Sequence, residues 1–435
     1  RCLDAFIIAL NQATDGKRWY TSTKRLQLAS LEFCAACRSA PTLLVKVEKA
    51  TPNRLWMGAP ARETRSTKKL NVTRVPIVQA HELSASALRS MGDAGVEVKQ
   101  ITFGNEFNGS VRGVAWPRNL EKLTFGLAFN QPISGVVWPK LLELTFCGDF
   151  NQPITEMIWP ASLQKLQFLG GFKQPLKGVS WPVSLRTLIF WQVGQSLVGV
   201  SWPPSLQMLK FFNPLPNESV AGIDWPVSLK ELFFRGGLDR FDRHFDTVGW
   251  PPSLEVLHLG FSFNQSIIGV NWPGSLARLT LDGRFNQAID MVIWPGSLKE
   301  IKFNRDFDQP IGGVKWPASL ERLTFGPDFN QPITGAVAWP PSLRVLRFGM
   351  RFNQPIANVC WPDSLQEISF TAEVLPWYHP EDWTLVVVEF FGLLSNFNQP
   401  INEVRWPSSL LKVTFGACFD QPVAGVAWPA SLREL

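Results

Sequence analysis

Apolar residues recur along this chain in a frame of about 22 residues, from residue 101 to the end. A well-preserved copy reads Ser319-Leu320-Glu321-Arg322-Leu323-Thr324-Phe325-Gly326-Pro327-Asp328-Phe329-Asn330-Gln331-Pro332-Ile333-Thr334-Gly335-Ala336-Val337-Ala338-Trp339-Pro340. Its opening has the form Leu-x-x-Leu-x-Phe, and the last three positions alternate with the period of a short β-strand. Leu323 and Phe325 are predicted to point inward and Thr324 outward. Proline lacks the N–H and restrains the residue before it, so Phe-Asn-Gln-Pro does not continue a helix. A second proline follows the tryptophan. About 10 residues between the two prolines leave room for extended and turn structure and little for a helix.

One such unit cannot bury its own apolar residues, whereas stacked copies can. Parallel pairing of each strand with the next would turn Leu320, Leu323, Phe325, Phe329, Ile333, Val337 and Trp339 into internal ladders. A fixed period between 20 and 50 residues marks a repeat architecture. Trp-Pro pairs run from Trp116 to Trp428, with one double-length gap between Trp361 and Trp406. Trp383 stands in that gap at the expected place, followed by Thr384 in place of proline. The count is therefore about fifteen repeats. The fold class is mainly β, a parallel β-solenoid with little helix in the repeats. The near-invariant tryptophans read as core, against the alternative of an aromatic stripe that stacks on bases or sugars. The asparagine of Phe-Asn-Gln-Pro reads as a side-chain amide that satisfies turn backbone. Asp308, Asp420 and Lys173 replace it in three copies; a carboxylate can still accept from an N–H, and a lysine cannot.

The string Ser-Leu-x-x-Leu-x-Phe-Gly-x-x-Phe-Asn-Gln-Pro-Ile resembles the FNIP repeat, a relative of the leucine-rich repeat. The resemblance covers residues 101–435. The family pattern commonly carries isoleucine before its second proline, where this chain has tryptophan. The resemblance implies a leucine-rich-repeat-like solenoid used in protein–protein interaction. Some relatives carry an N-terminal F-box or kinase domain, and neither pattern is found in this sequence.

Two segments are expected. Residues 1–95 form a basic N-terminal segment, partly helical or poorly ordered, that is a candidate cap. Residues 96–435 form the solenoid, whose last strand pattern reads as truncated at Leu435. Net charge is +6 over 435 residues. Residues 1–100 hold 16 Lys and Arg against 8 Asp and Glu, leaving 26 basic and 28 acidic residues in the array. A near-neutral array does not support a nucleic-acid stripe along it. The basic run Arg62–Arg74 reads as a solvated linker in preference to an RNA or anionic-membrane contact. A helix is predicted over His81–Met91. No stretch is long and apolar enough to span a membrane.

Candidate chemistry is sparse. Cys34-Ala-Ala-Cys37 is a lone C-x-x-C pair, and the other cysteines are scattered, which favours a reducing, cytoplasmic compartment. Asn71, Asn108, Asn217 and Asn264 begin glycosylation acceptor tripeptides, which keep an extracellular location open. The four histidines, His81, His244, His258 and His379, form no metal or nucleophile pattern. No cofactor, metal or catalytic site is expected, and the chain reads as non-enzymatic.

Where a partner would bind is read from three outward positions per strand: before the second leucine, after it, and after phenylalanine. Most copies carry polar residues or glycine there. One stretch carries Ile189, Trp191, Met208, Lys210, Phe212, Phe233, Arg235, Val256 and His258. Aromatics flanked by cations are what an interface hot spot requires. Phe-Asn-Gln-Pro is also lost here, and insertions on a solenoid commonly mark its binding face. Alternatively, Arg235–Val248 folds back and makes the patch a covered satellite core. Arg278, Lys302, Arg322 and Arg347 form a milder basic row. The expected function is a protein-interaction scaffold or adaptor with a protein partner, no nucleic acid on the array and no membrane span. The alternative is an extracellular module that binds glycan or a cell surface. Exposed threonines such as Thr124, Thr145, Thr280, Thr324 and Thr414 also suggest an ice- or mineral-ordering face, interrupted by Lys302 and Arg347.

Overall fold

The computed structural model describes residues 42–47, 73–76, 98–213, 220–235, 247–333, 335, 337–371 and 395–435. The predicted helix over 81–91, Cys34 and Cys37, the run 62–69 and most of 235–248 lie outside them. The chain forms two compact units, Arg1–Gln152 and Pro153–Leu435.

In the first unit, β1 (Thr42–Val47) pairs antiparallel with β2 (Thr73–Pro76) and with β3 (Val98–Thr102). From β3 on, pairing is parallel, through β4 (Lys122–Phe125) to β5 (Glu143–Gly148). The first repeat strand is thus flanked by strand backbone that carries no repeat, and its edge donors and acceptors are used rather than left open.

The second unit continues the repeat. Its strands are β6 (Lys165–Phe172), β7 (Thr187–Val193), β8 (Met208–Phe211), β9 (Glu231–Phe234), β10 (Val256–Leu259) and β11 (Arg278–Leu281), followed by β12 (Glu300–Phe303), β13 (Arg322–Thr324), β14 (Val345–Arg347), β15 (Glu367–Ser369) and β16 (Lys412–Thr414). Within the unit each pairs in parallel with its sequence neighbours, the inward aliphatic residues in register, as in Leu279↔Ile301↔Leu323↔Leu346↔Ile368↔Val413. Among the described residues there is no helix. The two prolines per repeat had excluded one, and turns occupy the space. Leu320 N–H donates to Pro317 O at 3.0 Å, and Phe329 N–H to Gly326 O at 3.3 Å. A third turn often places glycine in the left-handed region, as at Gly199 with φ 75°.

Leu320, Leu323, Phe325, Phe329, Ile333 and Val337 are buried. Phenylalanine rings stack within a rung (Phe325–Phe329, 4.1 Å) and between rungs (Phe329–Phe352, 6.1 Å and 7° between planes). The tryptophans form their own stack, for example Trp294–Trp316 at 6.1 Å and Trp339–Trp361 at 6.0 Å. They are core, as their sameness predicted. Indole N–H groups of the repeat tryptophans, such as Trp294, Trp316, Trp339 and Trp361, are buried with no acceptor among the described residues. The stack is therefore held by ring area and packing, not by hydrogen bonds.

Two polar ladders run beside this core. The asparagine side chain accepts the backbone N–H of the same position one rung on: Asn286 Oδ1 from Asp308 at 3.0 Å, Asp308 Oδ1 from Asn330 at 2.8 Å, and Asn330 Oδ1 from Asn353 at 2.9 Å. Asp308 fills the role without interruption because only an acceptor is needed. The following glutamine often adds a second bond, as Gln354 Nε2 donates to Asn330 Oδ1 at 3.1 Å. The second ladder belongs to the serine before the first leucine: Ser319 Oγ donates to Leu298 O at 2.7 Å and Ser364 Oγ to Leu343 O at 2.7 Å.

One expectation fails. The double-length gap does not contain a rung. β15 pairs directly with β16, Trp361 stacks on Trp406 at 6.5 Å, and Asn398 N–H donates to Asn353 Oδ1 at 2.9 Å. Phe370 and Phe397 meet at 4.1 Å, the same distance as Phe348 and Phe352 inside an ordinary rung. The extra residues are an insertion between strand exit and Phe-Asn-Gln-Pro. Trp383 lies outside the described residues, and the repeat tryptophans on either side of it, Trp361 and Trp406, stack directly.

Candidate partner-binding face

The outward side chains of the second unit form two rows across the strands. The outer row, before the second leucine, runs Lys165↔Thr187↔Met208↔Glu231↔Val256↔Arg278↔Glu300↔Arg322. The inner row, after it, runs Gln167↔Ile189↔Lys210↔Phe233↔His258↔Thr280↔Lys302↔Thr324.

Neighbouring strands lie roughly 4.8 Å apart, so side chains in a row shield one another. Thr145, Thr280 and Thr324 are buried for this reason and Thr124 and Thr414 are half-buried, so the expected row of exposed threonines does not form. Ile189 and Val256, predicted to contact a partner, are only 6% and 5% exposed. They are part of the patch's base and not of its surface.

The position after phenylalanine behaves differently in two parts of the array. In several rungs it is a glycine pressed on the preceding turn, and in others a polar residue such as Asp282 or Asn304. A Cβ on Gly326 would collide with Asn304 O, and one on Gly349 with Gly326 O. The close approach, and not tolerance of a bare surface, explains these glycines. In β7 the strand does not stop at phenylalanine but runs on to Val193. Trp191 therefore projects outward, and its side chain is 41% exposed.

Trp191 stacks on Phe212 at 5.3 Å and 24°. Lys210 Nζ lies 4.4 Å from the centre of the Phe212 ring and 5.9 Å from that of Phe233, a cation–π arrangement. Phe233 meets His258 at 4.6 Å. The His258 ring is 3.5 Å from Thr280 Oγ1 through Nε2. Trp191, Phe212, Lys210, Phe233 and His258 thus form one continuous surface. Met208 and Arg235 border it, both partly exposed, and the Arg235 Nε is buried with no acceptor among the described residues.

The surface is electropositive. Burial, with Arg235, Lys302, Lys210 and Arg278 around it, pushes the His258 imidazole down to about 3. Burial pushes the Asp282 carboxyl up to about 6, against the pull of Arg235 and Lys302. His258, Thr280 and Asp282 include the residue types of a nucleophile–base–acid set, but a base must titrate near working pH. An imidazole held near 3 is a poor one, and Thr280 is buried. Cys147, in the other unit, is pushed by burial to about 11 and is not a thiolate at neutral pH. Among the described residues no group of three or more His, Cys, Asp or Glu could hold a metal ion, and no helix is long and apolar enough to cross a membrane.

Next to the patch lies a shallow groove of about 300 Å³, lined along β10–β13 by residues including Val256, Arg278, Glu300 and Arg322. Its charges alternate in sign, and Lys299 and Glu321 pair at 3.5 Å. The basic row read from sequence is partly spent on such pairs, since Arg347 binds Glu367 at 3.0 Å.

The FNIP Repeat family profile matches residues 150–192, 263–306 and 339–372. The repeats in these three segments are FNIP repeats. Of solved structures, CroV588, described as a novel circular LRR protein, is 35% identical with a TM-score of 0.59. The match covers 77% of this chain and 48% of that one, so the chain spans about half the length of CroV588. An internalin (InlF) from Listeria monocytogenes str. 4b F2365 is 11% identical with a TM-score of 0.40, covering 80% of this chain and 93% of that one. None of the curated proteins compared matches the chain. The tryptophan before the second proline is a variation within an FNIP, leucine-rich-repeat-like solenoid. The FNIP matches leave residues 193–262 between them, the stretch that holds most of the aromatic patch.

Proposed function

We propose that this FNIP array is a non-enzymatic interaction scaffold whose protein partner docks on the strand face at β7–β10. The observation that carries the reading is the exposed Trp191–Phe212 step, with Lys210 held over the aromatic rings. Regular rungs put glycine or a polar residue where Trp191 stands, as at Asp282, Asn304, Gly326 and Gly349, so this part of the face differs from the rest by a large apolar projection. Aromatic side chains beside cations, surrounded by polar residues, dominate binding energy in protein interfaces.

The test is an affinity capture from the source cell's lysate with the full chain, beside a Trp191→Ala/Phe212→Ala/Phe233→Ala variant. Retained fold is checked by circular dichroism. A protein enriched by the first and lost with the second supports the docking site. Equal recovery with both removes the patch from consideration. No protein with either shifts the reading to glycan or cell-surface recognition, which a glycan array then examines.

A further inference from the structure

We propose that the inner row from Lys210 to Lys302, with Arg235 and Arg278 beside it, receives the carboxylates of an acidic peptide segment of the partner, whose aromatic or aliphatic side chain lies on the Trp191–Phe212 step. This inference rests on the docking site proposed above and specifies its ligand.

Charge is the first argument. From β6 to β16 the inner row holds Gln167, Ile189, Lys210, Phe233, His258, Thr280, Lys302, Thr324, Arg347, Ser369 and Thr414, with three cations and no carboxylate. The outer row mixes signs, with Glu231, Arg278, Glu300 and Arg322. Lys210, Arg235, Arg278 and Lys302 all act on one imidazole, that of His258, so they converge on a single area. Asp282 is the carboxylate that answers Arg235 and Lys302 there. His258 contributes no charge of its own at neutral pH. The excess of cations therefore belongs to the inner row; in the outer row Glu231 and Glu300 balance Arg278 and Arg322, and the array as a whole is slightly acidic.

Dimensions are the second. Lys210 and Lys302 are four strand spacings apart, roughly 19 Å. An extended peptide covers that distance in about six residues. The apolar step lies at one end of the row, so a segment with acidic residues and one apolar anchor matches its layout. A nucleic acid or anionic membrane would bring further phosphates onto Glu255, Glu300 and Glu321 in the adjoining groove, which disfavours both.

The test is selection of a phage-displayed random twelve-residue peptide library on the full-length chain. Enriched peptides are then synthesised with a fluorescent label and measured by anisotropy. Selected sequences are expected to be rich in Asp and Glu around one aromatic or leucine. Lys210→Glu/Lys302→Glu should weaken them at least about tenfold, and so should raising the salt several-fold. A Lys210→Gln/Lys302→Gln version, expected to weaken binding less, replaces the reversal if that variant loses its circular dichroism signature. Peptides without acidic excess, or indifferent to both charge variants, overturn the acidic-ligand inference. If such peptides still lose affinity with Trp191→Ala, the docking site survives and only its ligand class falls. If neither variant matters, or nothing is selected, both fall. A single-stranded oligonucleotide that outcompetes the peptides would assign the row to nucleic acid instead and overturn the proposal.

Discussion

Rungs 263–371 and the stretch 187–258 use the same leucines and phenylalanines inside, yet they differ on their outer side. In the regular rungs an unbroken acceptor ladder runs from Asn264 through Asp308 to Asn353, and the position after the strand's last inward residue is polar or glycine, as at Asp282, Asn304, Gly326, Gly349 and Thr371. In the other stretch the amide ladder is interrupted: Lys173 stands at the asparagine position, and Gln195 Nε2 donates to the Lys173 carbonyl at 2.7 Å. There β7 runs past the usual turn, and an aromatic, basic surface takes the place of glycine and small polar residues. The inner ladders fix the stack in both parts. Polar ladder and turn glycine add uniformity where it is kept, and their loss frees outward positions for large side chains without disturbing Leu188, Leu209, Leu232 and Leu257, all fully buried.

The largest effect that bears on this contrast is expected inside the regular part. Phe325→Ala should cost about 3–5 kcal/mol, as for buried aromatics generally, measured by chemical unfolding of the full chain. Asn330→Ala should come next. It removes the acceptor for both Asn353 N–H and Gln354 Nε2 and should cost about 1–3 kcal/mol. Asn330→Asp should cost far less, because Asp308 already holds that place. A loss as large as that of the alanine variant would mean that the ladder needs the amide's N–H groups too.

Trp191→Ala should cost less than about 1 kcal/mol, since the side chain is substantially exposed. A cost near that of Phe325→Ala would erase the contrast and make the patch a covered core. The finest distinction is electrostatic. Folding lowers the His258 pKa to about 3 from 6.5, so the unfolded chain binds the proton first and stability falls as pH drops between these values. Folding raises the Asp282 pKa to about 6 from 3.8, so the folded chain binds first and stability rises as pH drops through that window. The two oppose each other below pH 6. His258→Gln should therefore gain stability relative to the parent between pH 6.5 and 4, and Asp282→Asn should lose it. Melting curves of the three proteins at pH 7 and pH 4.5 check both signs, and proton NMR of the His258 ring should show it neutral at pH 5.

Most of the architecture was legible because internal repetition repeats the evidence. Leu-x-x-Leu-x-Phe gave the strand, two prolines excluded the helix, and near-invariance placed tryptophan in the core. The asparagine's acceptor role followed from its tolerance of Asp308. The serine ladder was missed, although serine stands before the first leucine in most copies; its acceptor is a carbonyl one rung back, which no local pattern reveals. Trp383 misled because its spacing happened to match the period, and only the direct stacking of Trp361 on Trp406 exposes the coincidence. The patch residues were identified from departures from the repeat. How deep each would sit was not legible: the burial of Ile189, Val256 and Thr280 is set by neighbours one strand away, about 22 residues distant in sequence.

The tryptophan stack also has an optical consequence. Indoles that lie face to face at 6.0–6.5 Å, as in Trp294–Trp316, Trp339–Trp361 and Trp361–Trp406, are close enough to pass excitation from ring to ring before emitting. Emission from such a column loses its polarisation and can be drained by a single quenching group at any rung. The fluorescence of these stacked indoles should behave as a shared signal, so that removing one ring, such as Trp361, registers in the light from its neighbours Trp339 and Trp406.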